Sequence, residues 1–198
     1  MFSRLLRKIR NAALDFRFGA FVGGKIDDSA FSAEGANAPG NSDYDVLAQV
    51  FHDCIRRDDV LVDVGCGRGR VLNYWLSRGL RNRIYGLEID HGIALKVARR
   101  LRRWPNVSIL CGDATRLLPQ DASVLYLFNP FREPVIKRFE EAVRNLPRLR
   151  LIVYYSPVHA EVFQSNPDWS VELVPVKRPA GANFLNRHYH YALITPNR

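Results

Sequence analysis

The chain has 198 residues, 47% of them hydrophobic, enough to fill one core under both faces of a sheet and too few for a second full domain. Its three cysteines, Cys54, Cys66 and Cys111, are odd in number and widely spaced, which excludes a disulfide framework and a zinc-type ligand spacing and points to a reducing, cytoplasmic setting. Net charge is +9, and 24 of the 29 cationic residues are arginines, whose planar fork suits phosphates and carboxylates. A polyanionic partner and a plain solvated basic surface are both open readings. No run approaches the ~20 apolar residues that cross a bilayer, and the N-terminus lacks the apolar core of a secretory signal, so a soluble protein is expected.

The first 18 residues place Phe2, Leu5, Ile9, Ala12 and Phe16 at three- and four-residue spacing, with Arg4, Arg7, Lys8 and Arg10 mostly on the other side. This basic amphipathic helix could lie on an acidic membrane surface or on nucleic acid, pack on its own domain, or serve as a mitochondrial-type presequence. Residues 19–40, rich in Gly, Ala, Ser and Asp, read as an irregular loop. Residues 1–40 therefore form an N-terminal segment and 41–198 the main domain. Asn41 or Ser42 suits an N-cap for a helix running to about Arg57, with Tyr44, Leu47, Phe51 and Cys54 on its apolar stripe.

Strand and helix then alternate. Strands are expected at Val60 to Val64, Arg83 to Ile89, Val107 to Leu110, Val124 to Phe128 and Leu149 to Tyr155. Helices are expected at Arg70 to Arg78, Ile93 to Arg103 and Val135 to Asn145, and two terminal strands at Val171 to Val176 and His188 to Ile194. Short apolar runs joined by helical crossovers imply an α/β fold, a three-layer α/β/α sandwich around a mostly parallel, seven-stranded sheet.

Ligands of such sheets bind beyond the carboxyl ends of the strands. After the first strand comes Asp63-Val64-Gly65-Cys66-Gly67-Arg68-Gly69-Arg70, a glycine turn opening a helix, where free amides favour an anionic group. A dinucleotide site wants G-x-G-x-x-G with a small third residue, but Arg70 occupies that position, which weakens an NAD-linked oxidoreductase. The second strand ends in Tyr85-Gly86-Leu87-Glu88-Ile89-Asp90, where Glu88 can accept from two ribose hydroxyls and Asp90 suits the helix entry. The third ends in Cys111-Gly112-Asp113-Ala114, where Asp113 either accepts from an exocyclic amine or caps the turn. The fourth ends in Leu127-Phe128-Asn129-Pro130-Phe131.

Asp63 with G-x-G-x-G, and an acid after each of the next two strands, resemble class I S-adenosylmethionine-dependent methyltransferases from about Asp43 to Pro157. The resemblance implies a Rossmann-like methyltransferase fold with S-adenosyl-L-methionine as cofactor. Asp63, Gly65, Gly67 and Gly69 match the loop around the methionine moiety, Glu88 with Ile89 the ribose site, and Asp113 with Ala114 the adenine site. Asn129-Pro130-Phe131 resembles a shortened N-P-P-Y/F motif of amino-group methyltransferases, which slightly favours a nitrogen acceptor; Asn129 would orient it next to the cofactor. A looser similarity, through Tyr85 to Glu88, Gly112-Asp113 and Asn129 to Phe131, is to histone-lysine methyltransferases of the disruptor-of-telomeric-silencing type; small bacterial members of unassigned substrate look closer. Phe131 and one of Tyr154 and Tyr155, with Tyr155 preferred, would wall the acceptor pocket, since neighbours on a strand face opposite ways. His159 is a candidate base. His188 and His190 share a strand face without completing a metal site, and no metal is expected. The acceptor class, whether protein, RNA or small molecule, is not encoded in these motifs. The competing reading of a different kind is a non-catalytic nucleic-acid-binding protein on the same fold, resting on the arginine excess.

Overall fold

Val60-Leu-Val-Asp-Val64 carries apolar side chains toward both faces, as a central parallel strand does, and all five residues are buried (β1, Val60–Val64). The computed structural model describes residues 2–23, 35, 41–177 and 190–197. Before β1 come two helices, α1 (Phe2–Arg17) and α2 (Tyr44–Val50); after it the chain runs α3 (Arg70–Ser77), β2 (Arg83–Glu88), α4 (His91–Leu101), β3 (Val107–Cys111), α5 (Ala114–Leu117), β4 (Val124–Phe128), α6 (Glu133–Arg144), β5 (Leu151–Tyr155), α7 (Glu161–Gln164), β6 (Trp169–Pro175) and β7 (His190–Pro196).

The seven strands are ordered β3-β2-β1-β4-β5-β7-β6. β1 to β5 are parallel, and β7 pairs antiparallel with both β5 and β6. The order reverses beside β1, which has β2 on one side and β4 on the other. The crevice beyond the carboxyl ends of β1 and β4 is thus the switch point where such sheets take ligands. One core layer, with Leu61, Trp75, Val97 and Tyr126, lies under α2, α3 and α4; the other, with Val62, Val64, Ile136 and Phe139, lies under α6.

The expected strands are present to within two residues at most ends, and the short helices α5 and α7 are additional. The α2 region differs most. Its N-cap is Asp43, whose side chain accepts from the Asp45 amide, whereas the Ser42 hydroxyl pairs with Tyr126 at 2.6 Å. The helix ends at Val50 and not near Arg57, with Asp53 at a positive φ of 55° shortly after. Most of the loop expected over 19–40, and His188, lie outside the described residues.

The orientation of α1 is the other surprise. Its polar stripe faces inward: Arg7 Nε lies 3.5 Å from Asp43, the Asn11 amide donates to Asp43 at 3.1 Å, and Asp15 is fully buried. Only Leu14 and Phe18, at the C-terminal end, reach the core, while Leu5, Ile9 and Phe16 are exposed. Among the described residues no helix is long and apolar enough to cross a membrane.

Candidate cofactor and acceptor site

Three backbone turns shape the rim. Gly65, Gly67 and Gly69 have φ of +75°, +51° and +80°, a region that costs side-chain-bearing residues about 1 kcal/mol or more. A Cβ built on Gly65 would stand 3.1 Å from Pro130 Cβ, so the loop after β1 touches the loop after β4 across the switch point. A Cβ on Gly67 would meet nothing within 4 Å; the main chain there faces open space. The amides of Gly65 and Cys66 both donate to the Leu87 carbonyl, at 2.9 and 2.8 Å, which fixes the turn on the end of β2.

Glu88 joins that turn directly. Its Oε2 accepts from the Gly67 amide at 2.8 Å and its Oε1 from the Asp90 amide at 2.9 Å. Each carboxylate oxygen retains a further lone pair for a ribose hydroxyl. Burial pushes the Glu88 carboxyl up from its ordinary range, and the amide bonds oppose that rise. Asp90 sits at the helix entry, N-capping α4 through the Ile93 amide at 2.8 Å.

Asp63, next to last in β1, is 2% exposed. Its Oδ2 has no hydrogen-bond partner among the described residues. Burial, then the nearby Glu88 charge, hold this carboxyl well above the usual range. An unpaired buried oxygen costs about 1 to 3 kcal/mol, a cost that natural sites accept where a ligand supplies the missing donor.

The end of β3 adjoins this pair, since the Gly112 amide donates to the Glu88 carbonyl at 2.9 Å. Asp113 caps α5: its Oδ1 accepts from the Thr115 amide at 2.9 Å and from the Thr115 hydroxyl at 2.8 Å. Its Oδ2 stands 3.9 Å from Arg116 Nε, outside the cap, and the side chain is 40% exposed. Ile89 is half-buried and Ala114 is buried.

The acceptor side is assembled differently from expectation. Asn129 follows β4 at φ +41°, a conformation asparagine tolerates better than most residues, and its Oδ1 accepts from the Tyr154 hydroxyl at 2.9 Å. Tyr155 does not make this contact. It faces the opposite side of the sheet, 1% exposed, with its ring 4.7 Å from that of Phe128. Phe131 is 9% exposed and packs on Phe139 at 5.3 Å, in the same core layer as Tyr154. His159 lies with its Nδ1 3.5 Å from Glu161 at the end of the β5 turn. Among the described residues no cluster of three or more His, Cys, Asp or Glu could hold a metal ion.

Two functional contacts escaped the sequence reading. Arg70, the residue that breaks the dinucleotide spacing, forms a buried ion pair with Asp15, Nε to Oδ1 at 3.2 Å and Nη2 to Oδ2 at 2.5 Å. Arg100 of α4 donates to the Phe18 carbonyl at 2.9 Å and to the Arg68 carbonyl at 2.7 Å, tying the α1 exit to the glycine turn. No local signal announces either, because the partners are 32 or more residues apart.

Residues 61–149 match the methyltransferase domain family. Over that stretch, just under half of its length, the chain is similar to methyltransferase domains. Over 97 residues it is 31% identical to the ribosomal RNA small subunit methyltransferase A of Thermotoga neapolitana, a match that takes in 45% of this chain and 36% of that protein. The chain thus aligns with about a third of the length of that curated relative. Among solved structures, an S-adenosylhomocysteine-bound methyltransferase of Podospora anserina superposes with a TM-score of 0.60 at 11% identity, covering 80% of each chain. Precorrin-6y C5,15-methyltransferase of Geobacter metallireducens gives a TM-score of 0.57 at 20% identity, covering 85% of this chain and 95% of the other. At such identities the likeness establishes the fold, and the Rossmann-like methyltransferase architecture expected from the sequence is the one observed. The matched methyltransferase domain family implies S-adenosylmethionine as cosubstrate.

Proposed function

We propose that the chain transfers a methyl group from S-adenosylmethionine to a nitrogen acceptor. The observation that carries this reading is the buried, unpartnered Asp63 oxygen beside the open main chain of Gly67. That pairing suits a ligand bringing an ammonium group to Asp63 while its adenosine moiety follows the rim past Glu88 to Asp113. When bound, the cofactor supplies a sulfonium-activated methyl group, so no strong base is required and the protein's work is to hold the acceptor in line and dry. The argument for nitrogen is the resemblance of Asn129-Pro130-Phe131 to a shortened N-P-P-Y/F motif of amino-group methyltransferases, with Asn129 held by the Tyr154 hydroxyl. The relative named for ribosomal RNA makes RNA the first acceptor pool to try.

Calorimetric titration of the whole chain with S-adenosylmethionine, S-adenosylhomocysteine and NAD tests the cofactor. The first two are expected to bind and NAD not to; binding of NAD alone would overturn the reading. Glu88→Ala is expected to weaken S-adenosylmethionine binding by about 1 to 3 kcal/mol through loss of charge-assisted hydrogen bonds, and unchanged affinity would remove Glu88 from the ribose site. Labelled methyl transfer into fractionated RNA, protein and small molecules tests the acceptor. In that assay Asn129→Ala is expected to lower turnover by about 10- to 1,000-fold with cofactor affinity preserved, an effect of losing one positioned acceptor; full activity would dismiss its role.

A further inference from the structure

A surface helix ordinarily buries its apolar stripe and shows its charges to water. α1 does the reverse. At four-residue spacing, Arg7, Asn11 and Asp15 turn inward onto Asp43, Tyr44 and Arg70, through the 3.5 and 3.1 Å contacts to Asp43 and a 2.7 Å bond from the Tyr44 hydroxyl to Asp15. That polar ladder fixes which way the helix faces. The opposite side carries Leu5 (56% exposed), Ile9 (56%) and Phe16 (64%), with Leu6 (51%) at its margin. Phe21, 51% exposed, stacks on Phe16 with ring centroids 6.0 Å apart and prolongs the stripe past the helix end. Five of the nine exposed large hydrophobic residues among those described therefore sit on this one element and its exit. Singly scattered apolar side chains need no explanation; a continuous stripe does.

Cations border the stripe. At 100° per residue, Lys8 falls along one edge and Arg10 and Arg17 along the other, and all three are exposed, as is Arg4 in the first turn. Arg10 shares its charge with Asp45; Lys8 and Arg17 face solvent beside the stripe. The only acid on the helix, Asp15, is sequestered in the buried pair, so the outward face is free of negative charge. Between α1 and α2, a groove of about 430 Å³ continues the apolar surface along Ala13, Leu14 and Tyr44, with Arg10 and Arg17 also in its lining.

We propose that α1 docks in the plane of an anionic lipid surface, its apolar stripe entering the headgroup boundary and its flanking cations meeting lipid phosphates. An apolar face between two basic edges is the arrangement that binds such a surface by combined burial and charge attraction. A nucleic acid would use the cations and leave Leu5, Ile9 and Phe16 in water. A second copy of the chain, paired stripe to stripe, would bring like charges together along both edges. The proposal is independent of the methyltransferase reading, since none of its residues belongs to the cofactor or acceptor site.

The experiment is flotation of the full chain with vesicles of phosphatidylcholine, with and without phosphatidylglycerol. Binding is expected to the phosphatidylglycerol vesicles, with a drop of about tenfold or more on pure phosphatidylcholine and on raising salt, as screened cation attraction dictates. The double variant Ile9→Ser, Phe16→Ser is expected to bind at least about tenfold more weakly, from the lost apolar burial, while melting near the wild-type temperature because both side chains are exposed. Absence of flotation, or equal binding by the variant, overturns the proposal. So does capture of a short RNA by both proteins without flotation, or a concentration-dependent dimer that the double variant disperses without vesicle binding.

Discussion

Asp63→Asn is expected to stabilise the protein in the absence of cofactor and to weaken cofactor binding. In the folded chain the Asp63 carboxyl titrates well above its ordinary range because burial, and then Glu88, disfavour its charge. A raised folded-state value means that the native protein holds a proton the unfolded chain gives up. The stability linked to this group is therefore complete below the unfolded value of about 4 and is lost as pH rises through the folded one. Asparagine carries no titrating proton at that position, so its stability should not fall across that window. Above it the variant should exceed the wild type by about 1 to 3 kcal/mol, the cost of an uncompensated buried carboxylate oxygen; urea unfolding at several pH values measures this. S-adenosylmethionine affinity in the same variant should fall about 10- to 100-fold, the worth of one buried charge-assisted bond to an ammonium group. A core residue with no ligand would move only the first quantity. A variant less stable than wild type at every pH would instead show that the Asp63 oxygen is well accommodated without a partner.

How far the sequence reached follows from which interactions are local. β1 and β4 are legible to the residue because each is a short apolar run bounded by turn-forming residues, and the three acids stand out because they lie within two residues of a strand end: Asp63 next to last in β1, Glu88 last in β2, Asp113 two beyond β3. Alternation along β5 correctly separated Tyr154 and Tyr155 onto opposite faces, but choosing between them needed the register of β5 against β4. That register pairs Tyr154 with Leu127, and the Tyr154 hydroxyl is the one bonded to Asn129. The position of β7 between β5 and β6 was hidden for a similar reason: two antiparallel strands carry no order in their own composition. In α1 the 3.6-residue period identified which residues share a stripe; which stripe faces inward is set by partners distant in sequence, Asp43, Tyr44 and Arg70. The resemblance to methyltransferases could be read because glycine turns and acids near strand ends are local. The helix orientation could not, because it depends on a salt bridge spanning 55 residues.

That salt bridge yields the largest stability effect expected of any single replacement. Asp15 is wholly buried and accepts from the Tyr44 hydroxyl and from two nitrogens of Arg70, whose guanidinium also lies 5.4 Å over the Tyr44 ring. Asp15→Ala strands both donors: a buried cation without its counter-charge and a hydroxyl without its acceptor. The expected loss is about 3 to 5 kcal/mol in urea or thermal unfolding, the range for breaking a buried ion pair from one side. Because Arg70 is the first helical residue after Gly69, loosening it should also disorder the glycine turn, and S-adenosylmethionine affinity should drop with it. Removing both charges separates the two effects. Asp15→Leu with Arg70→Met replaces the pair by apolar volume and should recover most of the stability, since desolvating two charges offsets much of their attraction. If the pair serves only to hold α1, the double variant should recover cofactor affinity along with stability. If Arg70 also shapes the turn, affinity should stay low in a protein that is again stable. A single replacement costing less than about 1 kcal/mol, the range of an exposed pair, would mean that α1 does not bury this contact in solution.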